Sequence, residues 1–326
     1  MHAIETPPAT PGPVAIIRIS ATDLESHAQT LGFRIPRIGG VSLVPLFGID
    51  HAVAARPDGR TLMVTPHGGI RIVRRLSERL EAIGFPREVD RSPREVYPEA
   101  HSEMEASMLA ALAASPSPRA VDILLAQPAR WGASADDTGT ADPRLDRLLS
   151  PPTVVVLGRP NIGKSSLLNA LASERVALDA DHEGTTRDHV GVTLTLDGLG
   201  VHWIDAPGIP DDPGALDRAE FEVLGPVIER ADLIVLAADA SDAPESLDAL
   251  PIGVPAHAPR IRLGLRADAA GGVEGGGFDA VCSAKTGAGV HGVARMIRAA
   301  LVPDSALADP RPWRFWGAGA ARPLDR

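Results

Sequence analysis

The string Gly158-Arg-Pro-Asn-Ile-Gly163-Lys164-Ser165 sets two glycines, a lysine and a hydroxyl at the spacing of a phosphate-binding loop. The glycines let backbone amides converge on a β-phosphate, and the helix that follows adds its positive end. Lys164 is expected to bridge the β- and γ-phosphates, and Ser165 to place its hydroxyl on Mg²⁺. Two further strings follow at suitable distances. In Gly184-Thr185-Thr186-Arg187-Asp188 a threonine can close over the γ-phosphate and complete the Mg²⁺ shell. In Asp205-Ala-Pro-Gly208 the carboxylate can hold a metal-bound water, and Gly208 can offer its amide to the γ-phosphate. Alone, the second and third strings are an ordinary polar loop and a common turn. In this order the three imply binding of a nucleoside triphosphate with magnesium.

Positioning such a loop takes a strand before it and a helix after it. Thr153–Leu157 is a β-branched run, and Ser-Ser-Leu-Leu-Asn-Ala-Leu after Lys164 is helical in pattern. From 153 onward, strands are predicted at 153–157, 190–196, 200–204, 232–238, 260–265 and 279–282, and helices at 164–173, 216–230 and 290–301. That alternation predicts an α/β domain over 153–302 with a mainly parallel sheet. Residues 126–152, rich in Gly, Ala, Asp, Ser and Pro, read as a linker, and 303–326 as a tail. The first 125 residues read as an α+β domain: strands at 13–19 and 61–65, an Arg-rich helix from Ile70 to Ile83, a helix at 102–113 and a helical turn at 121–126.

Composition bounds the rest. A net charge of −10 argues against a general nucleic-acid-binding surface, and Arg71, Arg74, Arg75 and Arg79 read as a solvated helix face. With one Tyr, four Trp and six Phe, the cores must be aliphatic. A single cysteine, Cys282, allows neither an intramolecular disulfide nor a cysteine-rich metal site. The first residues lack a basic region and an apolar core, and no apolar run reaches membrane-spanning length, so a cytoplasmic location without membrane contact is expected.

The three nucleotide strings resemble the TrmE–Era–EngA–YihA group of GTPases, and within it the MnmE (TrmE) tRNA-modification family. Thr6-Pro-Pro with Pro13-Val-Ala-Ile-Ile-Arg-Ile-Ser20, and His67-Gly-Gly before the Arg-rich helix, resemble that family's folate-binding amino-terminal domain. The resemblance implies GTP hydrolysis to GDP and phosphate in a homodimer, with Mg²⁺ on Ser165, Thr186 and Asp205. It implies K⁺ on Asn161 and on the loop that includes Ala180, His182 and Thr185. Asn161, Ile162, Gly163, Lys164, Ser165, Ser166 and Gly208 are then the phosphate-side contacts, and Asp268, Ser283, Ala284 and Lys285 the guanine contacts. Asp217 and Asn161 are the expected catalytic residues. Reduced folate, tRNA and an RNA-modifying flavoprotein follow as a cofactor and partners of the family.

The sequence departs from the family at three places. Leu265-Arg-Ala-Asp268 replaces Asn-Lys-x-Asp, which removes a carboxamide and is expected to weaken guanine binding and relax base choice by a few kcal/mol at most, the scale of one or two polar contacts. Asp217 stands for a water-positioning Glu and is one methylene shorter. Ile209, by contrast, is no departure from the family: it follows the Asp-x-x-Gly string where Ras-like proteins carry a water-orienting Gln, and as an apolar residue it is consistent with cation-assisted hydrolysis. The family's long helical domain is represented only by residues 100–130, and Cys282 belongs to the last guanine box rather than to the family's terminal Cys-x-Gly-Lys motif. Leu265 and the shortened Asp217 support an alternative, a catalytically degenerate nucleotide-binding scaffold. A third reading gives the chemistry to the amino-terminal domain through folate, with His67 and Arg18 as its candidates.

Overall fold

The structure, a computed structural model, describes residues 1–6, 12–88, 91–133, 139–173, 191–209, 218–247, 255, 258–269 and 277–317. The chain divides into two compact units, Met1–Ala114 and Ser115–Ala320.

The first unit is built on a five-stranded antiparallel sheet of β1 (His2–Ile4), β2 (Ile17–Ser20), β3 (Val41–Leu46), β4 (Asp50–Ala55) and β5 (Thr61–Thr65), in the order β1-β2-β5-β4-β3. Strand alternation sends Ile17, Ile19, Val44, Leu46, Ala52, Ala54, Leu62 and Val64 into one core. After α1 (Ala28–Leu31), α2 (Ile70–Ala82) adds Leu76 and Leu80 to that core and leaves Arg71, Arg74, Arg75 and Arg79 exposed, as a solvated face requires. Two short additions, α3 (Pro93–Val96) and α4 (Glu103–Ala114), complete the unit. The β3–β4 hairpin is absent from the sequence expectations for a physical reason. Pro45 argues against an interior strand, yet β3 is an edge strand, where a missing N–H costs no ladder bond. Its turn places Phe47 and Gly48 at φ 57° and 69°, a left-handed pair without the usual Asn-Gly signal.

The second unit begins with α5 (Ala120–Leu125), α6 (Gln127–Ala133) and α7 (Pro143–Asp146). It then forms a six-stranded sheet from β6 (Thr153–Gly158), β7 (Gly191–Leu196), β8 (Leu199–Asp205), β9 (Leu233–Asp239), β10 (Arg260–Leu265) and β11 (Ala280–Val281). The order is β11-β10-β9-β6-β8-β7, with only the β7–β8 pair antiparallel. This is the mainly parallel α/β sheet expected. Strands β6 and β9 are buried along nearly their whole length, as central parallel strands covered on both faces must be. The sheet is flanked by α8 (Lys164–Ser173), α9 (Arg218–Glu229) and α10 (Val290–Leu301); α9 buries Leu224 and Ile228 against Val155, Leu157, Ile234 and Leu236. Asp197-Gly198, at φ 45° and 81°, forms the two-residue turn joining β7 to β8. Arg119 and the buried Arg298 clamp Asp197 from two sides, at 3.0 and 2.8 Å.

The expected linker and tail differ from what the structure holds. Within 126–152, α6 and α7 are helical and Leu145 and Leu148 are buried. After α11 (Asp304–Leu307), Trp313 and Phe315 are buried as well. Gln127 Oε1 accepts from the Trp313 amide at 2.8 Å, and Asp146 Oδ1 accepts from the Trp313 indole at 3.0 Å. The polar composition hid this because a few long-range anchors, not helical periodicity, order these segments.

Candidate nucleotide-binding site

The candidate site grows from the carboxyl end of β6, where the first parallel strand runs into the loop that opens α8. Backbone shape there requires glycine at two places. A methyl group on Gly158 would lie 2.3 Å from the carbonyl oxygen of Ala237 on β9. Gly163 holds φ 102°, which L side chains rarely adopt. Between them Asn161 adopts φ 60°, a left-handed conformation that Asn tolerates better than other non-glycine residues. Ile162 is buried and fixes the loop to the domain, while Asn161, Ser165 and Ser166 are exposed.

Lys164 is buried, and its ammonium donates to the carbonyls of Gly158 at 3.1 Å and Arg159 at 3.0 Å. Burial pushes its pKa down, opposed by the charge of Asp205. Among the described residues its hydrogen-bond partners are neutral carbonyls, which leaves the buried cation poised for an anionic ligand.

Ser165 Oγ donates to Asp205 Oδ2 at 2.7 Å, so the loop hydroxyl and the end of β8 meet. The second oxygen, Asp205 Oδ1, is buried and has no hydrogen-bond partner among the described residues. A buried carboxylate oxygen left unpaired is costly in a protein interior, and a divalent cation satisfies it. The donor set therefore fits Mg²⁺. Gly208 lies against the loop, where a methyl would fall 2.5 Å from Pro160 Cα. The Ile209 amide donates to the Gly158 carbonyl at 3.0 Å, and the Ile209 side chain is fully buried, as its apolar character requires.

Asp268, Ser283 and Lys285 converge at the other end. Ser283 Oγ donates to Asp268 Oδ1 at 2.7 Å, and Lys285 Nζ stands 3.8 Å from Oδ2. The Ser283 hydrogen bond, ahead of the nearby charges, holds the Asp268 carboxyl below its ordinary range. Leu265 is buried beside them. Cys282 is buried too, and burial pushes its thiol up to about 11. A cavity of about 370 Å³ joins the two ends, lined among others by Asn161, Gly163, Leu265, Asp268 and Lys285. Phosphate-side and base-side residues thus share one cleft. Arg266, which the motif reading passed over, lines it as well.

Asp217, Ala180, His182, Thr185 and Thr186 lie outside the described residues. Among the described residues no three His, Cys, Asp or Glu side chains gather as a metal cluster. In the first unit, Arg18 is spent internally: it donates to Glu5, Ser20 and Glu88 at 2.6, 2.6 and 2.5 Å. His67 pairs with Asp50 at 2.9 Å. No described helix is long and apolar enough to cross a membrane.

Residues 153–259 match the family described as 50S ribosome-binding GTPase. Over 217 residues the chain is 36% identical to the tRNA modification GTPase MnmE of Acidiphilium cryptum, covering 65% of this chain and 44% of that protein. Over 150 residues it is 37% identical to MnmE of Laribacter hongkongensis, covering 44% of this chain and 33% of that one. The chain thus spans less than half the length of these relatives. Among solved structures, the G domain of the T. maritima FeoB iron transporter is 25% identical with a TM-score of 0.37, over 46% of this chain and 98% of that domain. The chain is thus similar to MnmE proteins over part of its length, and residues 153–259 match a GTPase family model.

Proposed function

We propose that the protein binds GTP with Mg²⁺ and hydrolyses it to GDP and phosphate. The observation that carries this reading is the meeting of Ser165 Oγ with Asp205 Oδ2 at 2.7 Å beside the buried Lys164 ammonium. Ser165, Asp205 and Thr186 would hold Mg²⁺, which neutralises charge on the β- and γ-phosphates. Lys164 turns from its carbonyl partners to the phosphates, and the loop amides with Gly208 fix the terminal phosphate. At the base, Asp268 accepts from guanine's N–H groups while the backbone around Ala284 donates to O6. Since Ile209 is apolar and buried, water orientation falls to Asp217, and Asn161 with Ala180, His182 and Thr185 would hold K⁺, which would supply positive charge beside the phosphates.

The proposal includes a homodimer. Val41 and Leu43 on edge strand β3 and Val53 beside them on β4 share one sheet face and stand 67%, 72% and 44% exposed. An apolar group of that kind is favourable to cover. Participation in tRNA modification with a flavoprotein partner is proposed from the names of the relatives alone, and reduced folate remains a proposed ligand of the amino-terminal unit.

The test is turnover. Phosphate release from GTP should rise in KCl relative to NaCl and fall at least about a hundredfold for Lys164→Ala. Absence of hydrolysis in both salts, with tight nucleotide binding retained, would establish the second reading, a nucleotide-binding scaffold. Leu265 in the base box, apolar and buried, favours that alternative.

A further inference from the structure

The arginines of α2 are a feature that nucleotide binding leaves unused. Arg71, Arg74, Arg75 and Arg79 are all exposed. A solvated helix ordinarily sets a carboxylate one turn from each cation. On α2 only Arg74 has that partner, Glu78 at 4.0 Å, with the two side chains 61% and 65% exposed. Four residues beyond Arg71 stands Arg75, and four beyond Arg75 stands Arg79. Like charges at that spacing repel and weaken a helix, so solubility alone does not account for the row. The rest of the chain sharpens the contrast. Acidic residues outnumber Lys and Arg by 42 to 32, and Arg18, Arg91, Arg119, Arg144, Arg298 and Arg311 each lie within 3.0 Å of a carboxylate. Arg75 and Arg79 have no ion pair among the described residues. Arg79 is nonetheless placed, its guanidinium 5.8 Å from the centre of the Phe47 ring.

Four residues advance a helix by about 6 Å, so the three charges span about 12 Å along α2. Over that length one strand of a nucleic-acid duplex presents about three or four phosphates. A guanidinium fork matches the oxygens of each phosphate, whereas an acidic peptide offers no such regular row. Leu76 and Leu80 are buried in the core of the first unit, which leaves α2 no apolar stripe for a lipid surface. We propose that the row Arg71, Arg75 and Arg79 docks the phosphate backbone of an RNA duplex. The inference rests on the tRNA-modification reading above and supplies a surface for the RNA.

The measurement is fluorescence anisotropy of a fluorescein-labelled RNA stem-loop titrated with the full chain, from about 50 to 200 mM KCl. The proteins are wild type, Arg75→Ala, Arg79→Ala, Arg75→Lys, the double variant Arg75→Glu with Arg79→Glu, and Arg295→Ala, which removes an exposed charge from α10. Each α2 alanine variant should weaken RNA about three- to tenfold at the lowest salt and reduce the salt slope by about one. Arg75→Lys keeps the charge and should lose less than Arg75→Ala. The double charge reversal should abolish measurable binding, and Arg295→Ala should match wild type. Alanine at 75 relieves the repulsion along the helix, so Arg75→Ala should melt no lower than wild type, which separates lost binding from lost fold. RNA bound equally well by wild type and the α2 variants overturns the inference and leaves the tRNA-modification reading standing. An equal loss for Arg295→Ala overturns it as well. So does a vesicle rich in phosphatidylserine, or a polyglutamate peptide, held as tightly as RNA by the same residues. A wild type that binds no RNA overturns both the inference and the reading it rests on.

Discussion

Asp205→Asn separates the cost of an empty site from the value of a filled one. In the ligand-free protein, Asp205 Oδ1 is buried without a partner among the described residues, an arrangement that costs about 1–3 kcal/mol. Neutralising the side chain lowers that cost to the smaller one of an unpaired amide atom. It also removes the attraction between Asp205 and the buried Lys164, which acts in the opposite direction on a similar scale. The two changes offset, so the free protein should keep its stability within about 1 kcal/mol. For a unit of this size that is a Tm change of no more than about 4 °C. The liganded protein behaves otherwise. At GDP a hundredfold above Kd with Mg²⁺, wild type gains about 2.7 kcal/mol, or about 5–10 °C. Losing an anionic metal ligand should weaken the Mg²⁺-dependent complex at least about ten- to a hundredfold, by comparison with what loss of a supporting residue costs. At the same GDP concentration the variant would then gain only about 0.4–1.4 kcal/mol, or about 1–5 °C. Thermal melts with GDP in Mg²⁺ and in EDTA read both quantities, and wild type in EDTA should mimic the variant. A variant that loses more than about 3 kcal/mol without ligand, or keeps the full Mg²⁺-dependent gain, refutes the assignment of Asp205 to the metal.

Two further outcomes follow from buried groups away from the phosphates. Cys282, buried with its thiol pushed up to about 11, should resist thiol reagents at pH 8 in the folded chain, where about one thiol in a thousand is ionised, and react fully in guanidinium; fast labelling of folded protein would contradict its placement. His2 is buried, with Nδ1 against the Phe85 carbonyl at 2.8 Å, so Nδ1 must donate and Nε2 must accept from Ser77 Oγ at 2.7 Å. Burial lowers its pKa below that of the unfolded chain, so its contribution is complete above about pH 6.5 and is lost as pH falls through the folded value. Chemical denaturation at pH 7.5 and 5.5 should show this loss, and His2→Gln should remove most of the difference while lowering stability at pH 7.5.

Where local pattern and tertiary demand coincide, the fold was legible. Helices 164–173 and 290–301 and strands 61–65 and 260–265 stand where periodicity places them. Asp197-Gly198 gives the β7–β8 turn openly, whereas Phe47-Gly48 makes the same kind of turn without the usual residues. The turn at 121–126 stands as α5, whereas α6 and α7 escaped because their order comes from Gln127 and Asp146 meeting Trp313 across long separations. At the site, spacing alone brought Lys164, Ser165 and Asp205 into one reading, since phosphate chemistry fixes these residue types. Arg266 stands at the lysine position of the base box, whereas Asp239 carries no motif. They meet because β9 and β10 are neighbours in the sheet, a fact of topology that no local string contains.

The base end of the cleft calls for a different expectation about Leu265 than its apolar character first suggests. An apolar side chain withholds a hydrogen bond from guanine and adenine alike, so it lowers affinity without choosing between them. Choice lies with an acceptor and a donor set side by side. Asp268, held by Ser283 and deprotonated, can only accept, and the backbone at Ala284 can only donate to what lies opposite it. Guanine offers O6 as an acceptor where adenine offers an N–H donor, so the pair opposes adenine twice. Leu265→Asn should then tighten GDP about two- to tenfold, at a stability cost of about 1–3 kcal/mol for a new buried amide, and shift the GDP-to-ADP affinity ratio by less than about threefold. Asp268→Asn should reduce that ratio at least about tenfold. Competitive titration with GDP and ADP measures both ratios. A large change in the ratio for Leu265→Asn, with little for Asp268→Asn, would show that base choice resides at the start of the box rather than at its carboxylate.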